Sequence, residues 1–199
     1  MKLSELFDKL EKSSEFKKFK TKFPEAYFCA AFVVFDYDSK DVKQQLDYYV
    51  SEDEGIMTFL LDKKIISKKA EMIEREILKE IKKDEIKIDL DEVVEKAEKE
   101  AEKQHFKPAK IIAILQRLKE DEKLIWNLTC LSGFTILRMH VAMDGKVLLN
   151  QKSSMMDLMR IEKGNKKAKG SEQDKTAQVQ SPADSADAQV QKDSADYVG

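Results

Sequence analysis

Glycine, cysteine and histidine are scarce in this chain of 199 residues, and each scarcity excludes a class of site. The six glycines form neither a GxGxxG motif nor a P-loop, so the chain has no glycine-rich phosphate loop. The two cysteines, Cys29 and Cys130, have no CxxC neighbour, which argues against a disulfide framework or a zinc knuckle. The two histidines have no partner at metal-ligand spacing. We therefore expect no metal and no cofactor, and we find no catalytic constellation.

An excess of charge of one sign and a long apolar run are also missing. Lysine plus arginine (36) nearly balances aspartate plus glutamate (38), so no net field attracts nucleic acid or anionic lipid. The longest apolar run, Ala26–Phe35, is about half as long as a membrane-spanning helix and is typical of a buried strand. Lysine and glutamate are interspersed through residues 1–20, unlike in a secretory signal. We expect a cytoplasmic protein with neither a nucleic-acid nor a membrane partner.

A helical pattern occurs twice in the chain. The i, i+3, i+4, i+7 spacing of one apolar helix face is found at Leu3, Leu6, Phe7 and Leu10 and again at Leu90, Val93, Val94 and Ala97. Asp89, followed three residues later by Glu92, is a candidate N-cap with a capping box, so we predict a helix over Leu90–Gln104. The repetition indicates either an internal duplication or the common order of a helix before a meander, and the sequence leaves both open.

Each helical pattern is followed by a proline, Pro24 or Pro108, and then by three strand-like runs. These runs are Ala26–Tyr37, Gln44–Val50 and Ile56–Asp62 in the first half, and Ala109–Leu118, Lys123–Leu131 and Thr135–Met143 in the second. The predicted fold class is α+β: two units, each a helix plus an antiparallel meander, joined by a helix and followed by a tail. The predicted bounds are 1–66 and 85–162 for the units, 67–84 for the linker helix and 163–199 for the tail.

The linker helix is predicted from apolar residues at helical spacing, namely Ala70, Ile73, Ile77, Leu78 and Ile81. After Leu149 a Met-rich segment, SSMMDLMRIEK, favours one or two helical turns. From Lys163 onward the chain has almost no large apolar residues, so it cannot bury enough surface to offset the entropy of ordering it. We expect this tail to be disordered.

The candidate surface or pocket consists of His140, Arg138 and Trp126. His140 and Arg138 alternate on the predicted polar face of a strand whose other face carries apolar side chains. A solvated histidine is the ordinary interpretation of His140, because it has no ligand or catalytic partner nearby in the sequence. Trp126, like the pair Tyr48 and Tyr49, lies on a predicted strand, where aromatic side chains more often pack than stack on a ligand or a base.

The segment Ile86–Leu148 resembles a PepSY domain, in which an amphipathic helix precedes a meander of strands. The resemblance is carried by the closing VAMDGKVL, Val141–Leu148, and by the helix IDLDEVVEKAEKEA. It implies a small cystatin-like α+β unit with a helix packed on a curved antiparallel sheet, and residues 1–66 would be a more diverged copy. It also implies a non-catalytic role similar to that of the inhibitory or chaperone-like modules of peptidase propeptides. Because no peptidase domain accompanies it here, we expect binding to a protein partner rather than peptidase inhibition.

Two functions remain in competition. The first is a non-enzymatic, cytosolic protein-interaction module that regulates or inhibits an unknown protein partner. The second is a small-ligand-binding or enzymatic protein of cystatin-like fold with a pocket between helix and sheet. The runs Tyr27–Phe35 and Ile111–Leu115 are apolar on both strand faces, so we expect each to be covered twice. Mutual covering of the two halves would satisfy this, and the linker helix or a homodimer would be the alternatives.

Overall fold

The structure is a computed structural model that describes residues 1–53, 55–70, 78–119, 121–154 and 156. Within those ranges the chain forms three α-helices and one antiparallel sheet of eight strands, so the predicted α+β class is confirmed. The helices are α1 (Leu3–Glu11), α2 (Ser14–Lys22) and α3 (Leu90–Lys103). The strands are β1 (Tyr27–Asp36), β2 (Asp41–Val50), β3 (Gly55–Leu61), β4 (Ile65–Ala70), β5 (Lys110–Arg117), β6 (Leu124–Ser132), β7 (Thr135–Ala142) and β8 (Val147–Ser154).

The helices bury the faces that their apolar spacing predicts. The buried residues are Leu3, Leu6, Phe7 and Leu10 in α1, and Leu90, Val93, Val94, Ala97 and Ala101 in α3. Helix α2 was not predicted as a separate element. It begins after Ser13, whose hydroxyl accepts a hydrogen bond from the backbone amide of Phe16, and it buries Phe16 and Phe19.

The strands follow the order β4-β3-β2-β1-β5-β6-β7-β8, and every neighbouring pair is antiparallel. Each half of the chain therefore contributes a four-stranded meander, and the first strands of the two meanders meet at the centre of the sheet. In this central pair Ala31 lies opposite Leu115, and Asp36 lies opposite Lys110. The strand order is symmetric about the β1–β5 pair.

The two halves thus join edge to edge, and the predicted face-to-face covering of their sheets is wrong. Pairing β1 with β5 satisfies the backbone N–H and C=O groups that each strand would otherwise expose at an edge. The two-sided apolar pattern of these strands is the pattern of central strands in a wide sheet, where neighbours on both sides shield the side chains. The helices of the described residues cover one of the two faces.

The predicted linker helix over 67–84 is wrong wherever the structure describes it. Residues 67–70 belong to β4, residues 78–82 are not helical, and Lys83–Glu85 form a single 3-10 turn. Residues 71–77, which include Ile73 and Ile77, lie outside the described residues. The backbone pairing of β4 with β3 outweighs the helical spacing, and it extends the first meander to Ala70 rather than to residue 66.

A fourth strand also ends the second meander. Strand β8 pairs with β7 and includes Ser153 and Ser154, which the sequence analysis placed in a short helical segment. Apart from Met156, the rest of that segment lies outside the described residues, as does the predicted tail over 163–199.

One core lies between the three helices and one face of the sheet, which we call the helix-covered face. Helix α1 contacts β3, and helix α3 contacts β5, β6 and β7. The sheet contributes buried side chains from the centre of both meanders, among them Val33, Leu46, Phe59, Ala113, Trp126, Leu128 and Met139. The opposite face, on which no described helix packs, is called the open face.

Asp89 connects the two halves at the helix starts. Its Oδ1 accepts hydrogen bonds from the backbone amides of Leu3 and Leu90, each at 2.7 Å. The Glu92 side chain accepts from the Asp89 amide, so the predicted capping box of α3 is present. One carboxylate therefore caps the first turns of both α1 and α3, where the helix dipoles favour a negative charge.

Candidate functional site

The open face is the candidate site, because apolar side chains remain partly accessible on it. Strand alternation and the cross-strand registers place its residues unambiguously. Phe32 lies opposite Ile114, and Val34 lies opposite Ile112. These four side chains, which we call the apolar strip, are each intermediate between buried and exposed. The strip crosses the centre of the sheet, where the two halves meet.

Other apolar side chains lie on this face nearer the edges of the sheet. On the first half, Leu60 is partly exposed and Ile66 on β4 is 48% exposed. On the second half, Leu131 is partly exposed, whereas Ile125 and Ile136 are almost completely buried although they lie outside the main core. The strands that flank the strip separate it from these residues, because they place polar side chains opposite it, namely Lys43, Gln45, Asn127 and Thr129. The contiguous apolar area is therefore the strip itself, and contiguous areas are more informative than scattered exposed side chains.

Positive side chains flank the strip. Lys43 lies opposite Val34, Lys68 lies opposite Thr58, and Arg138 lies opposite Thr129. All three are exposed, and none forms an ion pair with another described residue. A surface with an apolar centre and uncompensated positive charges at its border favours a partner with an apolar centre and acidic surroundings.

Two acidic groups near the strip, Asp47 and Asp36, are engaged by neighbouring donors, whereas Asp41, which lies opposite Asp36, is exposed. Asp47 accepts from Thr58 Oγ1 at 2.7 Å and from Gln45 Nε2 at 2.9 and 3.0 Å. Burial raises the pKa of the Asp47 carboxyl, and this effect exceeds the opposing effect of the hydrogen bonds from Thr58 and Gln45. The Sγ of Cys29 donates to the Asp47 carbonyl oxygen. The bonds from Thr58 and Gln45 thus hold the Asp47 carboxylate against neighbouring side chains of the sheet.

At the end of the central strands, Asp36 is held by two kinds of donor. The backbone amide of Ser39 donates to Asp36 Oδ1, and Lys110 Nζ lies 3.1 Å from Asp36 Oδ2. Together they lower the pKa of Asp36 to about 2, the Ser39 amide being the larger cause. The two opposite charges of this pair lie at one end of the apolar strip and compensate each other.

The three candidate residues named from the sequence are divided between the two faces. Arg138 and His140 lie two positions apart on the open face, where Arg138 is exposed and His140 is partly exposed opposite Asn127 and Leu149. Trp126 is fully buried on the helix-covered face, and its Nε1 donates to the Ile88 carbonyl oxygen at 3.0 Å. Trp126 therefore belongs to the core and not to the candidate surface.

The residues of the apolar strip were not named as candidates from the sequence, although their signal was visible. The two-sided apolar pattern of the runs at Tyr27–Phe35 and Ile111–Leu115 identified their positions. That pattern was interpreted as a face hidden inside the protein, because a pattern alone does not distinguish a covered face from an accessible one.

The described part of the chain has hollows elsewhere, and three of them are lined by neither Arg138 nor His140. One, of about 500 Å³, lies at the C-terminal end of α3 beside Tyr37, Glu98 and Phe106. The Tyr37 hydroxyl donates to Glu98 Oε1, and burial is the main cause of a raised Tyr37 pKa, followed by this hydrogen bond. A second, of similar volume, lies beside Tyr27 and Arg117. Apart from the first hollow, the interface between α3 and the sheet is occupied by core side chains.

The described residues form neither a metal-binding cluster nor a membrane-spanning helix. Among them, no three His, Cys, Asp or Glu side chains gather in a way that could hold an ion. No helix in the same part of the chain is both long and apolar enough to cross a bilayer.

Comparison with known proteins identifies no family for this chain. No family model matches the chain, and no curated protein matches it either. Among solved structures, the chain is similar to a protein of Clostridium difficile 630 described as a "putative lipoprotein", with a TM-score of 0.48 and 13% sequence identity. The likeness covers 70% of this chain and 90% of the other. The resemblance of Ile86–Leu148 to PepSY domains therefore stays a prediction.

Proposed function

We propose that this protein is a non-enzymatic protein-interaction module that receives a protein partner on the open face of its sheet. The apolar strip carries the proposal: Phe32, Val34, Ile112 and Ile114 lie side by side on the two central strands and remain partly accessible. Removing such side chains from water contributes roughly 25 cal/mol per Å² of apolar surface buried. A partner that covers the strip would gain this contribution without any rearrangement of the sheet.

The charges around the strip indicate the chemistry of the partner. Lys43, Lys68 and Arg138 have no acidic partner among the described residues, whereas Asp36 and Asp47 are engaged. The surface therefore favours a partner whose apolar centre is bordered by Asp or Glu. Border charges of this kind mainly raise the association rate and select the partner, while the buried apolar centre supplies most of the affinity.

The architecture of the module is part of the same proposal. We interpret the two halves as diverged copies of a cystatin-like unit, of which the second resembles a PepSY domain. Both halves have a helix followed by a four-stranded meander, and the strand order is symmetric about the β1–β5 pair. Helix α2 departs from this symmetry, because the second half has a single longer helix in place of two short ones.

The alternative of a small-ligand-binding or enzymatic protein depended on a pocket between helix and sheet with converging polar groups. Core side chains occupy that interface except at the C-terminal end of α3, where a hollow is lined by Tyr37, Glu98 and Phe106. The polar groups expected to converge there, Arg138 and His140, lie on the other face of the sheet. The open face thus supports a protein partner better than a small ligand.

The proposal is tested by capturing binding partners with matched variants of the full chain. The triple variant Phe32→Gln, Val34→Gln and Ile114→Gln replaces three side chains of the strip with polar ones of moderate size, and Phe134→Gln is the control, because Phe134 is 68% exposed in the turn between β6 and β7. We expect a saturable partner that binds the parent and the control but not the triple variant. Circular dichroism must show that all three proteins are folded. A partner that binds the triple variant as tightly as the parent would refute the proposal.

A further inference from the structure

The hollow of about 500 Å³ at the C-terminal end of α3 is separate from the apolar strip, because no residue belongs to both. It also shares no residue with the positive side chains that flank the strip. Sites for small molecules have volumes of roughly 300 to 1,000 Å³ and combine apolar walls with a few polar groups. The hollow has such a lining, since two aromatic rings and a proline stand beside charged side chains.

Three segments of the chain hold the walls of this hollow in place. The Tyr37 backbone amide donates to the Ala109 carbonyl oxygen at 2.9 Å, and the Tyr37 hydroxyl donates to Glu98 on α3. The residue after β1 is thereby tied both to the segment before β5 and to the helix. Pro108 is buried and Phe106 is partly buried against the core, so these two apolar side chains are the least exposed of the lining.

The turn that ends α3 forms another wall. The His105 amide donates to the Glu102 carbonyl oxygen and the Phe106 amide donates to the Ala101 carbonyl oxygen, which is the Schellman pattern. His105 takes the left-handed position of this motif with a φ of 60°, where glycine is the usual residue. Backbone strain of this kind occurs most often at functional sites. Glycine at this position would relieve the strain but would remove a side chain from the lining.

The carboxylates of α3 that line the hollow differ from others on the same helix. Two lysines of α3 form ion pairs with Glu95 and Glu100. Glu98 and Glu102 line the hollow four residues apart, and neither forms an ion pair with another described residue. Like charges at this spacing repel each other, and the C-terminal end of a helix adds partial negative charge. The lining is therefore negative on balance, because it contains one lysine, Lys107, against two carboxylates.

These features favour a positively charged organic group. An ammonium donates strong hydrogen bonds to carboxylates, and the Glu98 carboxylate has a second oxygen besides the one that accepts from Tyr37. Aromatic rings attract cations to their faces, and Lys152 Nζ already lies 5.4 Å from the centroid of the Phe106 ring. Two carboxylates are too few ligands for a metal ion, and the described residues gather no third group with them. The same negative charges disfavour a phosphate or a carboxylate ligand.

We propose that this hollow binds a small organic cation. The ammonium group of the ligand lies beside Glu98 and Glu102, and its apolar body packs against the two aromatic rings of the lining. This inference is independent of the proposed function, because the hollow and the apolar strip have no residue in common.

A matched series of ligands tests the selection for positive charge. Tryptamine, tryptophol and indoleacetate share an indole ring and carry an ammonium, a hydroxyl and a carboxylate respectively. NMR titration of the full chain measures the three affinities and locates the amides whose chemical shifts change. We expect tryptamine to saturate with shifts centred on residues 98–108, tryptophol to bind at least about tenfold more weakly, and indoleacetate not to bind. Absence of tryptamine binding, shifts elsewhere, or affinities that ignore the charge would each refute the proposal.

Variants of the two carboxylates separate charge recognition from packing. The double variant Glu98→Gln and Glu102→Gln preserves side-chain size and keeps an acceptor for the Tyr37 hydroxyl. It should bind tryptamine at least about tenfold more weakly than the parent and bind tryptophol equally well. Glu95→Gln is the control, because Glu95 is exposed on the same helix but does not line the hollow, and it should match the parent. A double variant with the parent's affinity for tryptamine would overturn the proposal.

The aromatic wall and the place of binding are checked with two further proteins. Phe106→Leu should weaken tryptamine and tryptophol together, because both compounds lose the same ring, and unchanged affinities would show that the ring is not part of a site. The triple variant of the apolar strip should bind tryptamine as the parent does. Loss of tryptamine binding in that variant would place the ligand on the open face and refute a site in the hollow.

Discussion

The two halves of the sheet carry the same meander but fill their parts of the core with different side chains. In the first half, the Phe59 ring contacts the rings of Phe16, Phe19 and Tyr48, with centroids 5.1 to 5.7 Å apart and interplanar angles of 71 to 89°. In the second half, the single fully buried ring is Trp126, among aliphatic side chains such as Leu128. A meander can therefore be supported either by edge-to-face aromatic packing or by aliphatic packing.

The helices differ in the same way. The first half covers its strands with two nine-residue helices, α1 and α2, and the second uses one helix of fourteen residues. Helix α2 supplies Phe16 and Phe19 to the ring cluster, whereas α3 faces the sheet with small side chains at Ala97 and Ala101. The aromatic cluster of the first half therefore depends on the extra helix, because α2 supplies two of its rings.

The largest effect is expected from removing the ring at the centre of the aromatic cluster. Phe59→Ala should lower the free energy of unfolding by about 3 to 5 kcal/mol, because it leaves a cavity among three rings. The matched change in the second half, Leu128→Ala, removes fewer contacts and should cost less, about 2 to 4 kcal/mol. Denaturant unfolding of both variants checks the order. A larger loss for Leu128→Ala would contradict the contrast between the halves.

The stability of the second half should depend on the Nε1 donor of Trp126 as well as on the apolar surface that the indole ring buries. Trp126→Phe removes the Nε1 donor and leaves the Ile88 carbonyl oxygen without it, which should cost about 1 to 3 kcal/mol. Denaturant unfolding measures the loss, and Leu128→Met, which conserves volume, is a control for mild repacking at a neighbouring core position. If Trp126→Phe is as stable as the control, the indole contributes through packing alone.

The helix caps should also differ between the halves. Asp89→Ala removes the acceptor for the amides of both Leu3 and Leu90 and should cost about 2 kcal/mol. Ser13→Ala removes the acceptor for one amide, that of Phe16, and should cost about 1 kcal/mol. The shift in thermal midpoint compares them, and equal shifts would mean that Asp89 serves only one helix.

The smallest effect concerns pH and the first half. Because the pKa of Asp47 is raised in the folded state, the folded chain binds a proton more readily than the unfolded chain, so this group makes stability fall as pH rises through the window above its unfolded pKa. Asp47→Asn should remove that dependence and be slightly more stable than the parent at neutral pH, provided that Thr58 and Gln45 keep their hydrogen bonds. The difference should shrink towards low pH. A variant that is less stable at neutral pH would show that the charge itself is needed.

The sequence predicts the interior of each half better than its edges. Periodic apolar side chains predicted the buried faces of α1 and α3 and the first three strands of each meander, and the structure contains all of these elements. The capping-box pattern likewise predicted the cap at Asp89. Strands β4 and β8 were missed because edge strands with mostly exposed side chains have no apolar alternation, as IISKKA in β4 illustrates. Backbone pairing, which leaves little trace in the side-chain pattern, decides such segments.

The candidate site was predicted only in part for a related reason. Arg138 and His140 were placed correctly on the polar side of β7, since one-sided alternation assigns a face. Trp126, a candidate whose ring was nevertheless expected to pack rather than to stack on a ligand, lies on the opposite face in the core, as the register of β6 shows. The apolar strip needed the pairing of β1 with β5, which brings residues from distant parts of the chain side by side and cannot be inferred from either strand alone.

The central position of the β1–β5 pair also has a consequence for how the chain reaches its fold. Because β1 is made early and its partner β5 about 80 residues later, the pairs of the first meander can form well before the central pair during synthesis. Until then the first meander presents an apolar strand with unpaired backbone groups, the kind of edge on which chains exchange strands or aggregate. The step that joins the two meanders is therefore the stage at which folding competes most directly with misassembly.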